Sequence, residues 1–349
     1  MKQLSTLTII LLLALIYSCH KPSSTIGSGS VIVIDEGGYG HGDANLSLYN
    51  SESKTVTNNI FSLENGGAAL GDVAQSLYLI NDTAYIVMNN SQEVVIADAK
   101  NNFKYIDTIF LPGSSPRFFL PVGGSKAYIT ELYANKIWVV DFRKRILLKT
   151  IPVSGWTEHL VLSGGKVYVE EATKPTFGST PVPVHAVLMI DPVSDQVVNS
   201  IPLQSDPASM ALTAQGKLFV LCPQDTPTYS ASLYRIDAGT FAIEKQMNYT
   251  NSRTPSLIRY SSYSNQLLYS DIGGIFEMQV TDTIIPIVPS IVSQGWNVYG
   301  LNANPVNGDI YISDAVDYVQ SSHIWRYSQS GGLLDHFSAG IIANGVVFE

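Results

Sequence analysis

Hydrophobic and polar positions alternate along this chain in short runs, without the long 3.6-residue periods of helices. Between Thr83 and Arg117 three runs follow one another: AYIVM, EVVIAD and FKYIDTIFL. Each is rich in Val, Ile, Tyr and Phe, and each is cut off by Asn, Ser, Asp or Gly, the mark of strands joined by tight turns. The run VAQSLYLI, Val73 to Ile80, supplies a fourth. Four antiparallel strands in about 45 residues, repeated around a ring, make a propeller blade.

The repeat is visible inside the chain itself. The third run of each unit reads LSLYN to Asn50, VVIAD to Asp98, IWVVD to Asp141 and VLMID to Asp191, then LYRID to Asp237, IFEMQ to Gln279 and IWRYS to Ser328. Successive ends lie 48, 43, 50, 46, 42 and 49 residues apart. The runs before them echo one another as AYIVM, AYITE, VYVEE, LFVLC, LLYSD and IYISD. The pattern predicts an all-β, seven-bladed propeller that occupies residues 31–349 as one domain. The first unit has only three strands before the Asn65-Gly66-Gly67 turn, whereas the C-terminal run Ile341 to Phe348 has no partner of its own. That run is therefore expected to complete the first blade and close the ring, which removes exposed strand edges.

The N-terminus follows a different pattern. Residues 1–18 hold a lysine and the apolar run LTIILLLALIY, and end at Ser18 before Cys19. This reads as a secretory signal with an apolar stretch too short for a membrane span. Ile16-Tyr17-Ser18-Cys19 resembles a bacterial lipobox, so Cys19 is the candidate lipidation site, and residues 19–30 form a polar Ser/Gly/Pro tether. Acyl chains on Cys19 would anchor the mature protein, since each buried methylene contributes about 0.8 kcal/mol.

Apolar residues make up 45% of the chain and charged ones 14%, which suits a large core and argues against disorder. The net charge of −9 disfavours nucleic acid or another polyanion as partner, since those need clustered Lys and Arg. Arg143, Lys144 and Arg145 are the densest basic run and read as a solvated hairpin turn. Cys222, in the apolar run LFVLC, reads as a buried inert thiol, so no disulfide framework is expected.

Catalytic and metal-binding patterns are sparse. The histidines, at 20, 41, 159, 185, 323 and 336, show no HxH, HxxxH or HExxH spacing, and no GxSxG occurs. The loop GGYGHGDAN leads into a strand rather than a helix, which disfavours a phosphate cradle. Glu170-Glu171 and Asp314/Asp317 are the carboxylate pairs, but adjacent residues on a strand face opposite sides. No metal, no cofactor and no catalytic set is expected, which makes a binding protein the leading expectation.

Candidate binding residues cluster in the connections. Second-to-third strand connections share a propeller face with the links between blades, and they vary most: Asn89 to Gln92 in blade two, Ala172 to Val184 in blade four, Pro223 to Ala231 in blade five, Asp314 to Ser322 in blade seven. Rigid scaffolds carry function on such loops. Tyr39, His41, Tyr133, Phe177, Tyr229, Asp317 and Tyr318 fall there. Trp156 and Trp296, each beside a glycine at a first-strand start, are either ligand platforms or packing between blades. Arg117 and Arg253, near two other first-strand starts, either hydrogen-bond a ligand or stitch blades together.

The stretch VIVIDEGGYGHGDANLSLYN, the segment GDVAQS from Gly71 to Ser76 and the later GSSPR resemble a family of Bacteroidetes surface lipoproteins with YncE-like seven-bladed propellers. Its BtuG group captures cobalamin (vitamin B12) and passes it to a TonB-dependent outer-membrane transporter. The resemblance implies an outer-membrane lipoprotein exposed at the cell surface, which captures a corrinoid and hands it to such a transporter. No site residue is carried over from it. The alternatives are another metallophore or a glycan as ligand, a scaffold for protein contacts, or a propeller-type hydrolase or lyase.

Overall fold

The computed structural model describes residues 29–173, 182–224, 230–250 and 253–349. Cys19, Phe177 and Tyr229, with the N-terminal signal and most of the tether, lie outside these. Seven four-stranded antiparallel sheets follow one another along the chain. Their innermost strands are Ala343–Phe348, Ala74–Ile80, Pro116–Gly123, Trp156–Ser163, Ser209–Leu212, Leu257–Ser261 and Val298–Ala303. Each touches the next, and the last touches the first, so the ring is closed. Among the described residues the only α-helix is the single turn Ile60–Glu64.

The third strands of six blades end at the residues that mark the sequence repeat, and the seventh stops at Tyr327. The physical basis is a side chain that caps its own turn. Asp141 accepts the Lys144 N–H at 2.9 Å, Asp191 that of Val193 at 3.0 Å and Asp237 that of Thr240 at 2.7 Å. Asn50 does the same for Ser53. Asx turns of this kind make Asp and Asn natural strand terminators.

Closure takes the expected form, with one boundary moved. Ala343–Phe348 pairs antiparallel with Ser30–Asp35, and completes the sheet that continues through Asn45–Asn50 and Thr55–Thr57. Ile341 instead ends the preceding strand, because Ile342 takes a left-handed φ of 53° and turns the chain. Gly300 lets the closing strand dock on blade seven, since a Cβ there would lie 2.8 Å from the Asn344 carbonyl. Asn302 accepts the Val346 N–H at 3.0 Å across the same seam. Asp35 binds the Gly340 N–H at 2.8 Å and the Ser47 hydroxyl at 2.6 Å, and burial pushes its carboxyl up to about 7.

The core lies in seven apolar wedges, each between the faces of neighbouring blades. Fully buried rings fill them, among them Tyr49, Tyr128, Tyr168, Tyr269 and Tyr311. Outermost strands such as Ile146–Pro152 and Gln196–Pro202 face solvent on almost every residue. Cys222 is buried, with its thiol pushed upward by desolvation, in keeping with an inert core thiol.

Candidate functional site

A regular innermost strand would send its side chains alternately into the two flanking wedges. Five of these strands break that rule near their starts. Their pairing registers shift at Ala74/Ser76, Pro116/Phe119, Thr157/Leu160, Val298/Gly300 and, opposite Ile34/Asp35, at Asn344. A bulge adds a residue and re-aims side chains, a device common beside functional sites. The re-aimed residues are Gln75, Arg117, Glu158, His159, Tyr299 and Asn344. All of them line a cavity of about 300 Å³ in the central channel.

Arg117 is the hub of this mouth. Its Nε donates to both Glu158 carboxylate oxygens at 2.9 and 3.0 Å, and Nη2 to one of them at 2.6 Å. Nη1 donates to the Gln75 amide oxygen, and the guanidinium carbon sits 5.7 Å from the Trp156 ring centre. The group lies deep in the protein yet keeps a strip of side chain open to the channel. Bidentate, charge-assisted pairing of this kind fixes both partners.

Opposite it, Glu36 accepts the Tyr299 hydroxyl at 3.2 Å and the Asn344 amide at 3.1 Å. Burial raises the Glu36 carboxyl above its ordinary value, Asn344, Arg117 and Tyr299 hold it down, and Glu158 adds to the rise. The Tyr299 phenol is raised too, by burial and by Glu36 beside it. Below the mouth, His159 Nδ1 lies 2.9 Å from a carboxylate oxygen of the buried Glu170, and the Phe118 ring packs at 4.3 Å. Next to the mouth, Trp156, Thr173, Asp206 and Pro207 line a second cleft of about 260 Å³ that shares Arg117 and Glu158 with it.

The expected site residues divide. Arg117 and Trp156 come together at the mouth. Tyr318 meets Tyr299 edge-on at 5.7 Å and is half-exposed, at the rim. Tyr39, His41 and Tyr133 are exposed on the loops. Arg253 does not reach this group: it pairs with Asp271 and packs 4.4 Å from the Phe276 ring centre, as a stitch within the wall. Trp296 packs against Trp325 and Tyr327 at 5.8 and 5.9 Å. Asp317 caps its own turn through the Val319 and Gln320 N–H groups, and Asp314 binds Asn297 and Val316. Glu170 and Glu171 do face opposite ways: Glu171 binds the Ser154 and Gly155 N–H groups while Glu170 holds His159.

Glu36, Gln75, Glu158, His159, Glu170, Arg259, Tyr299 and Asn344 are the functional candidates that the loop pattern does not point to. For those in innermost strands the one sequence signal is a polar residue inside the first strand of a blade, as in VAQS, WTEH, LIRY and NVYG, whereas Glu36 lies in a turn and Glu170 in a second strand. Among the described residues no group of three His, Cys, Asp or Glu side chains is placed to hold a metal ion.

A family model described as a domain of unknown function, DUF5074, matches residues 29–334. No curated protein matches. Among solved structures, a quinoprotein alcohol dehydrogenase-like protein from Bacteroides thetaiotaomicron is 18% identical, over 92% of this chain and 78% of that one, with a TM-score of 0.66. Virginiamycin B lyase from Staphylococcus aureus is 14% identical over 78% of this chain and 87% of that one, TM-score 0.60. Kuenenia stuttgartiensis hydrazine synthase is 14% identical over 76% and 85%, TM-score 0.58. At these identities the likeness is one of fold.

Proposed function

The chain belongs to the DUF5074 family, and we propose that it is a binding protein that captures a corrinoid across the channel mouth and hands it to a TonB-dependent outer-membrane transporter. The observation that carries this reading is the convergence of five bulged strands on one polar mouth beside a cleft walled by Trp156. A corrinoid is a broad, partly flat ring system rimmed with carboxamides. Glu36 and Glu158 offer acceptors to amide N–H groups, and Arg117, Gln75, Tyr299 and Asn344 offer donors. Trp156 and Tyr318 supply apolar surface at the rim. A mouth of about 300 Å³ is too small to enclose such a ligand, which would lie across the face with its far side free for the transporter. The closed ring needs little ordering on association, which favours tight binding.

Calorimetric titration of the purified protein with cyanocobalamin tests the proposal. The expected result is one site at nanomolar strength or tighter, about 12 kcal/mol or more. A folded sample that gives no heat overturns the corrinoid reading and moves the search to other metallophores and glycans.

The same proposal places the protein on the outer membrane through a lipid on Cys19, with the propeller exposed at the cell surface. Cys19→Ala should shift the protein from the membrane fraction to the soluble one. Among the described residues no helix is long and apolar enough to cross a membrane. Membrane retention of the variant rejects the anchor.

A further inference from the structure

Blade five contributes least to the channel. Its innermost strand, Ser209–Leu212, has four residues, and Ala208 just before it is small. Arg259 of blade six fills the room this leaves: its Nη1 donates to the Ser209 hydroxyl at 2.9 Å and to the Ile258 carbonyl at 2.8 Å. Both acceptors are neutral. Arg117, Arg235, Arg253 and Arg326, the other inward-lying arginines among the described residues, each bind a carboxylate. Arg259 has no such partner, although its side chain is largely covered and lines the cavity.

Glu170 acts on Arg259 through its charge but stands outside ion-pairing distance, and it is already committed to His159. Its second oxygen, Oε1, is buried with no hydrogen-bond partner. The channel waist thus holds a guanidinium fork with free donors and an imidazole fixed by a carboxylate. A largely covered cation held only by neutral oxygens is costly, and desolvation draws the guanidinium below its usual value while the Glu170 charge opposes the fall. A planar fork of this kind matches the geometry of a carboxylate or a phosphate.

We infer that the same cavity, besides the groups assigned to the ligand at its mouth, takes a compact oxyanion on Arg259 beside His159. The cavity admits a small acid or the acidic group of a slender ligand. This site does not depend on corrinoid capture, and its test uses no corrinoid.

The probes are sodium acetate and inorganic phosphate, each added to the purified protein at constant ionic strength with chloride as the balancing anion, with thermal unfolding as the readout. A ligand that binds only the folded state raises its stability in proportion to the logarithm of its concentration over Kd. The wild type should show a rise in melting temperature that grows with the logarithm of concentration with at least one probe and none with chloride. Arg259→Met should lose that rise while melting no lower than wild type in chloride, because an uncompensated, largely covered charge is gone. Arg259→Lys keeps the charge without the fork, and should need about tenfold more anion, roughly 1.4 kcal/mol of binding. It also serves if the Met variant does not fold. Equal responses in wild type and Arg259→Lys, or a response to chloride as large as that to both probes, overturn the site.

Discussion

Removal of Ala343–Glu349 should cost this protein most of its stability. The closing strand supplies six residues to the first sheet and is the seam between blades one and seven. Without it, Ser30–Asp35 becomes an exposed inner edge, and Val31, Ile32 and Val33, each at most 1% exposed, lose cover on one side. Val346 and Ala343 leave the core outright, and Phe348 leaves the Tyr311 ring that it meets at 5.5 Å. Full burial of one such aliphatic or aromatic side chain is worth about 1.5–3 kcal/mol. Two or three of them with a strand's hydrogen bonds come to roughly 5 kcal/mol or more, against total stabilities of about 5–15 kcal/mol for folded domains. Thermal unfolding should therefore drop by about 10 °C or more, or the truncated chain should fail to fold. A synthetic peptide spanning residues 341–349, added in trans, should restore part of the loss. A truncated protein with an unchanged melting transition would show that the strand is an accessory and that the ring is held elsewhere.

The same strand shows what the sequence carries and what it conceals. Seven third-strand ends, the Asp and Asn turn caps and an unpartnered apolar run at the C-terminus are local signals of period and punctuation. They define both the ring and its closure. The channel site is written differently. Gln75, Arg117, Glu158, Tyr299 and Asn344 each enter the channel because a strand gains one residue against its partner. A bulge is a property of a pair of strands, and no single run of residues announces it. Arg117 and Trp156 were legible because they sit beside Gly and Pro at strand starts. Glu36 was hidden in the Gly-rich turn, and His159 and Glu170 are joined only through the register of Trp156–Ser163 on Lys166–Ala172. Loop variability pointed to the face that carries the mouth, but the residues that build the mouth belong to the rigid inner strands.

Arg117→Met should destabilise the protein by about 3–5 kcal/mol, the cost of a buried ion pair broken on one side. The substitution keeps an unbranched side chain of similar length and removes the charge. It strands Glu158, 8% exposed, among Trp156, Ala172 and Pro207. It also removes the positive charge that opposes the rise of the Glu36 carboxyl. The sign of the pH effect follows from Glu36. An acid whose folded value is raised holds its proton more tightly when folded, so it favours folding at low pH. That contribution is lost as pH rises from the ordinary value of 4.5 through the raised one. Loss of Arg117 raises Glu36 further, so the deficit of the variant should be small in mild acid and should grow as pH increases to neutrality and above. Urea unfolding across that range, with the slope held common, measures it. The double variant Arg117→Met/Glu158→Leu should recover most of the loss, since an apolar replacement of a buried pair is often neutral or stabilising. Corrinoid binding should not return with it, because the acceptor that Glu158 offers the ligand stays absent. A single variant as stable as wild type above neutral pH would mean that Glu158 finds water in the channel, and that the mouth is wetter and less ordered than its hydrogen bonds indicate.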